Sequence, residues 1–194
     1  MSSKILGKKA KSHQRILEAA SRGVRRSGFR GVGVADVMKE AGLTHGGFYS
    51  HFASRDALLA EAVVHASRDI GAIISANVAA LAQRGQSIFS AFIETYLSDS
   101  HISDCENGCP VATLCGEMPN QGAEVLDSSR KIVANLHKLV QQALPPSSSA
   151  EAAWTVASAL IGAMQLARTL GNNKQGKAVL AAARANLIAH YDNQ

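Results

Sequence analysis

Apolar residues recur along this chain at offsets of three and four, and strict alternation never persists beyond a few positions. That periodicity predicts an all-α protein of about nine helices. The first spans residues 12–27, capped by Ser12, with Ile16, Leu17, Ala20 and Val24 as its inner stripe. Gly28 ends it and Phe29 returns to the core. Val34, Val37, Met38 and Ala41 mark one face of a short second helix, with Asp36 in its first turn complementing the helix dipole. Gly42 then stands where a left-handed C-terminal residue is needed. Thr44 is placed to cap a third helix, 45–51, through its hydroxyl. Phe48 and Phe52, four apart, turn inward from it and leave His45, Gly46, Gly47, Tyr49 and Ser50 facing out.

Ser54 and Asp56 suit the start of a long helix, 55–82, whose apolar face is Leu58, Leu59, Ala62, Val63, Ala66, Ile70, Ile73 and Ile74. After Gly85 the pattern predicts helices over 88–97, 110–118 and 123–144, with a polar, acidic loop at 99–108. Pro145-Pro146-Ser147-Ser148-Ser149 is the clearest break in the chain, and helices 150–170 and 174–191 follow it.

A helix, a glycine-containing turn and a second helix presenting short polar residues form a helix-turn-helix, whose second helix enters a DNA major groove. The stretches ILEAA (16–20), GF (28–29), VADVMKEAGL (34–43), FYSHF (48–52) and SRDALL (54–59) resemble the DNA-binding domain of TetR/AcrR-type bacterial transcriptional regulators. The resemblance covers roughly the first third of the chain. It implies an N-terminal three-helix helix-turn-helix domain and a C-terminal helical ligand-binding and dimerisation domain. The expected organisation is a basic flexible arm at 1–11, the DNA-binding domain at 12–54, a connector helix from 55, and the effector and dimer domain over 55–194. Gly33 and Gly47 depart from the family pattern, which often has Thr or Ser at the first and Thr at the second.

Charge sharpens this division. Up to residue 60 there are eleven Lys and Arg against four acids, a surplus of seven, whereas the whole chain carries +5 and so its remainder −2. A basic head on a mildly acidic body suits a polyanion-binding module joined to a neutral one; the plainer alternative is a solvated face with a basic tail. No apolar run follows the lysines of 1–11, so no secretory leader is expected. The most apolar stretch, 152–167, is shorter than the ~20 residues of a membrane span. Three cysteines without a leader point to a reducing cytoplasm rather than a disulfide framework. The expected location is the bacterial cytoplasm, at the nucleoid through DNA binding.

The candidate DNA contacts are Ser12, Lys39, Thr44, His45, Gly46, Gly47, Tyr49, Ser50, His51 and Arg55. His45 suits a base edge or phosphate; Thr44, Tyr49 and His51 suit phosphate oxygens; Arg55 adds charge. Two glycines in a short helix cost about 1 kcal/mol each relative to Ala, yet allow close backbone approach to the bases. The competing reading is that Tyr49 and His51 only pack and cap.

In the body, Phe89, Phe92, Tyr96, Met118, Trp154, Met164, Gln165 and Arg168 could line an apolar pocket with a few polar groups, or could simply be core. Cys109, just before Pro110 at a helix start, is the best placed thiol for redox sensing, with Cys105 near it and Cys115 expected to be buried. His101, Cys105 and Cys109 could alternatively bind a metal, but Gly108 and Pro110 disfavour one continuous face; no metal and no cofactor are expected. Small residues in 150–170 and 174–191 allow close helix approach, and the resemblance implies that these two helices pair with their copies in a homodimer.

The function expected is therefore a sequence-specific, ligand-responsive repressor that binds a near-palindromic double-stranded DNA operator as a homodimer. A small-molecule effector would act through the connector helix; no membrane partner is expected. One alternative is a thiol- or electrophile-sensing regulator switched at Cys109. Another, of a different class, is a cysteine-dependent redox enzyme, although no Gly-rich phosphate loop, HExxH or GxSxG pattern is present.

Overall fold

The computed structural model describes residues 2–192, with side chains from Gly7 onward. Among these residues the chain is entirely helical. The α-helices are α1 (Ser2–Ser27), α2 (Val34–Glu40), α3 (Arg55–Ala82), α4 (Ile88–Tyr96), α5 (Pro110–Leu114), α6 (Ala123–Ala143), α7 (Ala152–Leu170) and α8 (Lys174–Tyr191). A 3₁₀ helix at His45–Ser50 is the ninth, and two shorter 3₁₀ turns lie at Asp99–Ile102 and Met118–Asn120. α1, α2 and the 3₁₀ helix at His45–Ser50 make up the head, the helices from α4 onward make up the body, and α3 packs on both.

The helix ends follow from local chemistry. Ser54 caps α3 by accepting the Ala57 N–H at 2.9 Å. Asn173 caps α8 by accepting from Gln175 and Gly176. Pro110 opens α5, where its missing N–H costs nothing. At the end of α2, Leu43 N–H bonds Met38 C=O and Gly42 N–H bonds Lys39 C=O, with Gly42 at φ = 65°. That pair of bonds satisfies the last carbonyls of the helix and turns the chain into the recognition segment.

α3 is the spine, packing on α1 in the head and on α6 and α4 in the body. One apolar core runs from Ile16 in α1 to Leu187 in α8. α7 and α8 pack side by side and close the body. No described helix is long and apolar enough to cross a membrane.

Several expectations change. The segment 1–11, expected as a flexible arm, is helical from Ser2: α1 begins ten residues before Ser12. KILGKKAKS holds no proline, and its lysines and alanine favour a helix strongly enough to carry Gly7. The helix expected over 110–118 ends at Leu114, because Gly116 and Pro119 disfavour its continuation. Ile73 is exposed on α3 rather than buried. Cys115 is exposed as well.

Candidate nucleic-acid interface and effector cavity

The recognition segment is short and tightly anchored. Phe48 and Phe52 are buried and stack with centroids 5.7 Å apart. His13 of α1 lies flat against Phe52 at 4.6 Å. The segment adopts 3₁₀ rather than α geometry. Gly46 and Gly47 are poor α-helix formers, and the segment is short enough that few i→i+4 bonds are lost by the tighter winding. Thr44 has the extended backbone of an N-cap, yet its hydroxyl makes no capping bond, contrary to expectation. Ser50 Oγ instead donates to Gly47 C=O at 2.6 Å and closes the segment's last turn.

This leaves Thr44, His45, Gly46, Tyr49 and Ser50 exposed on one surface, with Tyr49 74 % accessible. Open space surrounds the position a Gly46 side chain would take, so a surface could approach this backbone closely. Lys39 is exposed on α2, and Ser12 is half-buried on α1. His51 closes the segment, half-buried, with Nδ1 shielded and without a hydrogen-bond partner. Burial, then the neighbouring His13 and Lys9, lower its pKa, so it is neutral at ordinary pH.

Arg55 does not join this surface. Its guanidinium donates to the carbonyls of Phe29 and Val32, tying the lead-in loop to the first turn of α3. Other cations of the head are likewise engaged. Arg22 and Arg26 both reach Glu40, at 2.8 and 3.4 Å. Burial alone would raise the Glu40 carboxyl, but these hydrogen bonds outweigh it and hold it below the usual range. Arg25 is buried and donates to Ser21 and to the Gly108 carbonyl of the body. Its burial was legible in principle, since it continues the Leu17–Ser21 line at offset four, but its charge argued for a surface position. Among the described residues of the head the exposed cations are Lys8, Lys9, Lys11, Arg15, Arg26, Arg30 and Lys39, and of these Arg26 is paired with Glu40 and Glu106.

The expected effector residues do not gather in one pocket. Tyr96, Met164 and Arg168 line a cavity of about 10 Å³, together with His101, Cys109 and Ala112. That is room for about one water. The Tyr96 hydroxyl is buried there with the Cys109 thiol beside it; burial, then Cys109, pushes its pKa well above the ordinary value. Arg168 donates to Thr113 Oγ1 at 2.8 Å and to His101 C=O at 3.2 Å, and Gln165 bonds Ala112 C=O. Phe92 lines a separate apolar groove of about 270 Å³ between α3, α4 and α6. Met118 and Trp154 line another, of about 520 Å³, on the outer side of α6. Phe89 packs edge-on against Tyr191. Sequence offsets place residues on helix faces but not faces against each other, which is why Cys109 and His101 were not grouped with Tyr96.

Trp154 is 51 % exposed and lies tilted against His137, with ring centroids 4.1 Å apart. With Leu166 and Leu170 it gives α7 an exposed apolar strip, and space is open around Gly162. Ala152, Ala153, Ala157 and Ala163 are buried within the chain, so those small residues serve intrachain packing.

Comparison with known proteins then gives two family matches. Residues 16–62 match the pattern of bacterial regulatory proteins, tetR family. Residues 86–183 match the C-terminal domain of LmrA/YxaF-like transcriptional regulators. No curated protein matches the chain. Among solved structures, a TetR transcriptional regulator from Chloroflexus aurantiacus is 21 % identical with a TM-score of 0.72, over 94 % of this chain and 95 % of that one. A TetR-family regulator from Agrobacterium tumefaciens is 20 % identical with a TM-score of 0.74, over 94 % and 98 %. The reduced form of Escherichia coli NemR is 20 % identical with a TM-score of 0.70, over 91 % and 94 %. These structures share the fold.

Proposed function

Since the chain belongs to the TetR family of bacterial regulatory proteins, as a DNA-binding transcriptional regulator and not an enzyme, we propose that it is a repressor acting as a two-fold dimer. The observation that carries this reading is the recognition segment, held from beneath by Phe48 and Phe52 while its polar face stays open. Residues 12–54 read the operator, and residues 55–194 hold the effector and the dimer contact. Thr44, His45, Gly46, Gly47, Tyr49 and Ser50 meet the groove and its phosphates, flanked by Ser12, Lys39 and His51. Arg55 acts by fixing the lead-in loop. Two copies joined through α7 and α8 would set their recognition segments one DNA turn apart, ~34–36 Å, which calls for a near-palindromic site.

The effector is a small molecule that binds the body of the state unfit for DNA more tightly, since equal affinity for both states shifts nothing. The cavity at Tyr96, of about 10 Å³, is far below the ~300 Å³ of an ordinary ligand pocket, so an effector bound there must open it. The experiment is selection of bound duplexes from a random pool, followed by a salt titration. Affinity falls steeply with salt through counterion release. His45→Ala changes the selected sequence, whereas Tyr49→Phe weakens all duplexes alike. A selected sequence unchanged by His45→Ala would remove this assignment of the recognition face.

A second reading puts a thiol in the effector's place. It is favoured by Cys109 lining the same cavity as the buried Tyr96 hydroxyl. If oxidant releases DNA from the wild type and not from Cys109→Ser, the switch is this thiol; if both release alike, it is not.

A further inference from the structure

Two routes connect the body to the head. One is α3, which runs unbroken from Arg55 to Ala82. The other is a set of contacts that bypasses it. The segment between the cavity and α6 touches the end of α1 at three places. Arg25 donates to Gly108 C=O at 3.2 Å, Arg26 donates to Glu106 at 3.2 Å, and Glu117 accepts the Phe29 N–H at 3.0 Å. The Arg26 pair is half exposed, and such pairs contribute little. The Arg25 and Glu117 contacts are of another kind, because each grips main chain, and Glu117 is the one that holds the backbone of the lead-in loop. Gly28 has φ = 72°, and the Glu117 carboxylate lies where a Gly28 side chain would be, 2.3 Å from that position.

The lead-in loop between α1 and α2 is thus held from both sides. Its amide at Phe29 is held by the body through Glu117, and its carbonyls at Phe29 and Val32 by α3 through Arg55. Both are charge-assisted bonds, stronger than neutral ones. On the body side, Glu117 follows α5, whose Ala112 and Thr113 are bonded by Gln165 and Arg168 at the cavity wall.

We propose that Glu117 is the positioning residue that sets the orientation of the head on the body, and through it the half-site spacing that the dimer accepts. This rests on the two-fold dimer reading. Without Glu117 the Arg25 bond still fixes the end of α1 to the body, but the lead-in loop and the recognition segment after it are held by α3 alone, through Arg55, and can pivot about that single helix. A second attachment, off the helix axis, removes the pivot. In a dimer the consequence appears in spacing, because moving one half-site by one base pair displaces it by about 3.4 Å and turns it by about 35°. A fixed head cannot follow such a shift, whereas a pivoting head partly can.

The experiment uses the full-length protein and the duplex selected by the wild type. Three DNAs are compared: that duplex, the same duplex with one base pair added between its half-sites, and a single half-site. The wild type is expected to lose about tenfold or more in affinity on the insertion. Glu117→Ala is expected to reduce that penalty to about threefold or less, with half-site affinity unchanged. Glu117→Gln, whose amide oxygen accepts the same N–H, restores the wild-type penalty. A merely structural role would weaken all three DNAs together. If Glu117→Ala does not melt cooperatively, Glu117→Asp, one methylene shorter and still charged, replaces it with the same expected outcome. A full insertion penalty in the variant would overturn the proposal and leave the dimer reading intact. A wild type indifferent to the insertion would overturn both.

Discussion

At Gly42 the backbone turns left-handed, and the Arg15 guanidinium sits 2.5 Å from where a side chain would begin. A non-glycine residue there costs about 1–2 kcal/mol in backbone strain, while the flexible end of Arg15 can move aside. Gly42→Ala is therefore expected to lower stability by about that amount in thermal melting. His51 gives a second expectation at this scale, with a definite sign. Its pKa is lowered by burial, and then by His13 and Lys9 on α1, while Glu61 of α3 faces His13 at 3.0 Å. The unfolded chain therefore binds the proton at higher pH than the native chain does. The stability contributed by neutral His51 is present above its ordinary value of about 6.5 and is lost as pH falls through the native value. Between pH 7.5 and 5 the wild type should lose more melting temperature than His51→Asn.

Among the elements, α2 and its turn were legible because their determinants lie within ten residues. The apolar offsets, Asp36 and Gly42 all act locally, and the structure uses each where the sequence places it. The 55–82 helix was legible for the same reason, through the Ser54 cap. The recognition segment was placed correctly but given the wrong helix type. A missing Thr44 cap bond and two glycines decide between geometries that share almost the same sequence pattern. The site was less legible than the fold. Arg55 reads as a DNA cation by charge and position, yet two carbonyls of a loop more than twenty residues earlier capture it. The effector residues fell on predicted helices but dispersed among a closed cavity and two grooves. Which helix faces meet is decided by packing between distant segments, and no local pattern encodes it.

For the molecule as a whole, the exposed apolar strip of α7 is the feature left unsatisfied within a single chain. Trp154, Leu166 and Leu170 account for half of the large exposed hydrophobics among the described residues. Apolar side chains gathered on one exposed helix suit an interaction face. Leu166→Glu is expected to shift the protein from dimer to monomer in sedimentation at micromolar concentration, and to weaken binding to a full operator far more than to a half-site. Trp154 has a further consequence, since it is the sole tryptophan and lies tilted against an imidazole at 4.1 Å. The emission of the protein therefore comes from one indole, half in water, at the edge of the strip where a second copy would sit. Dilution below the dissociation constant should move that emission to longer wavelength, so the chain carries its own optical gauge of association and needs no added dye.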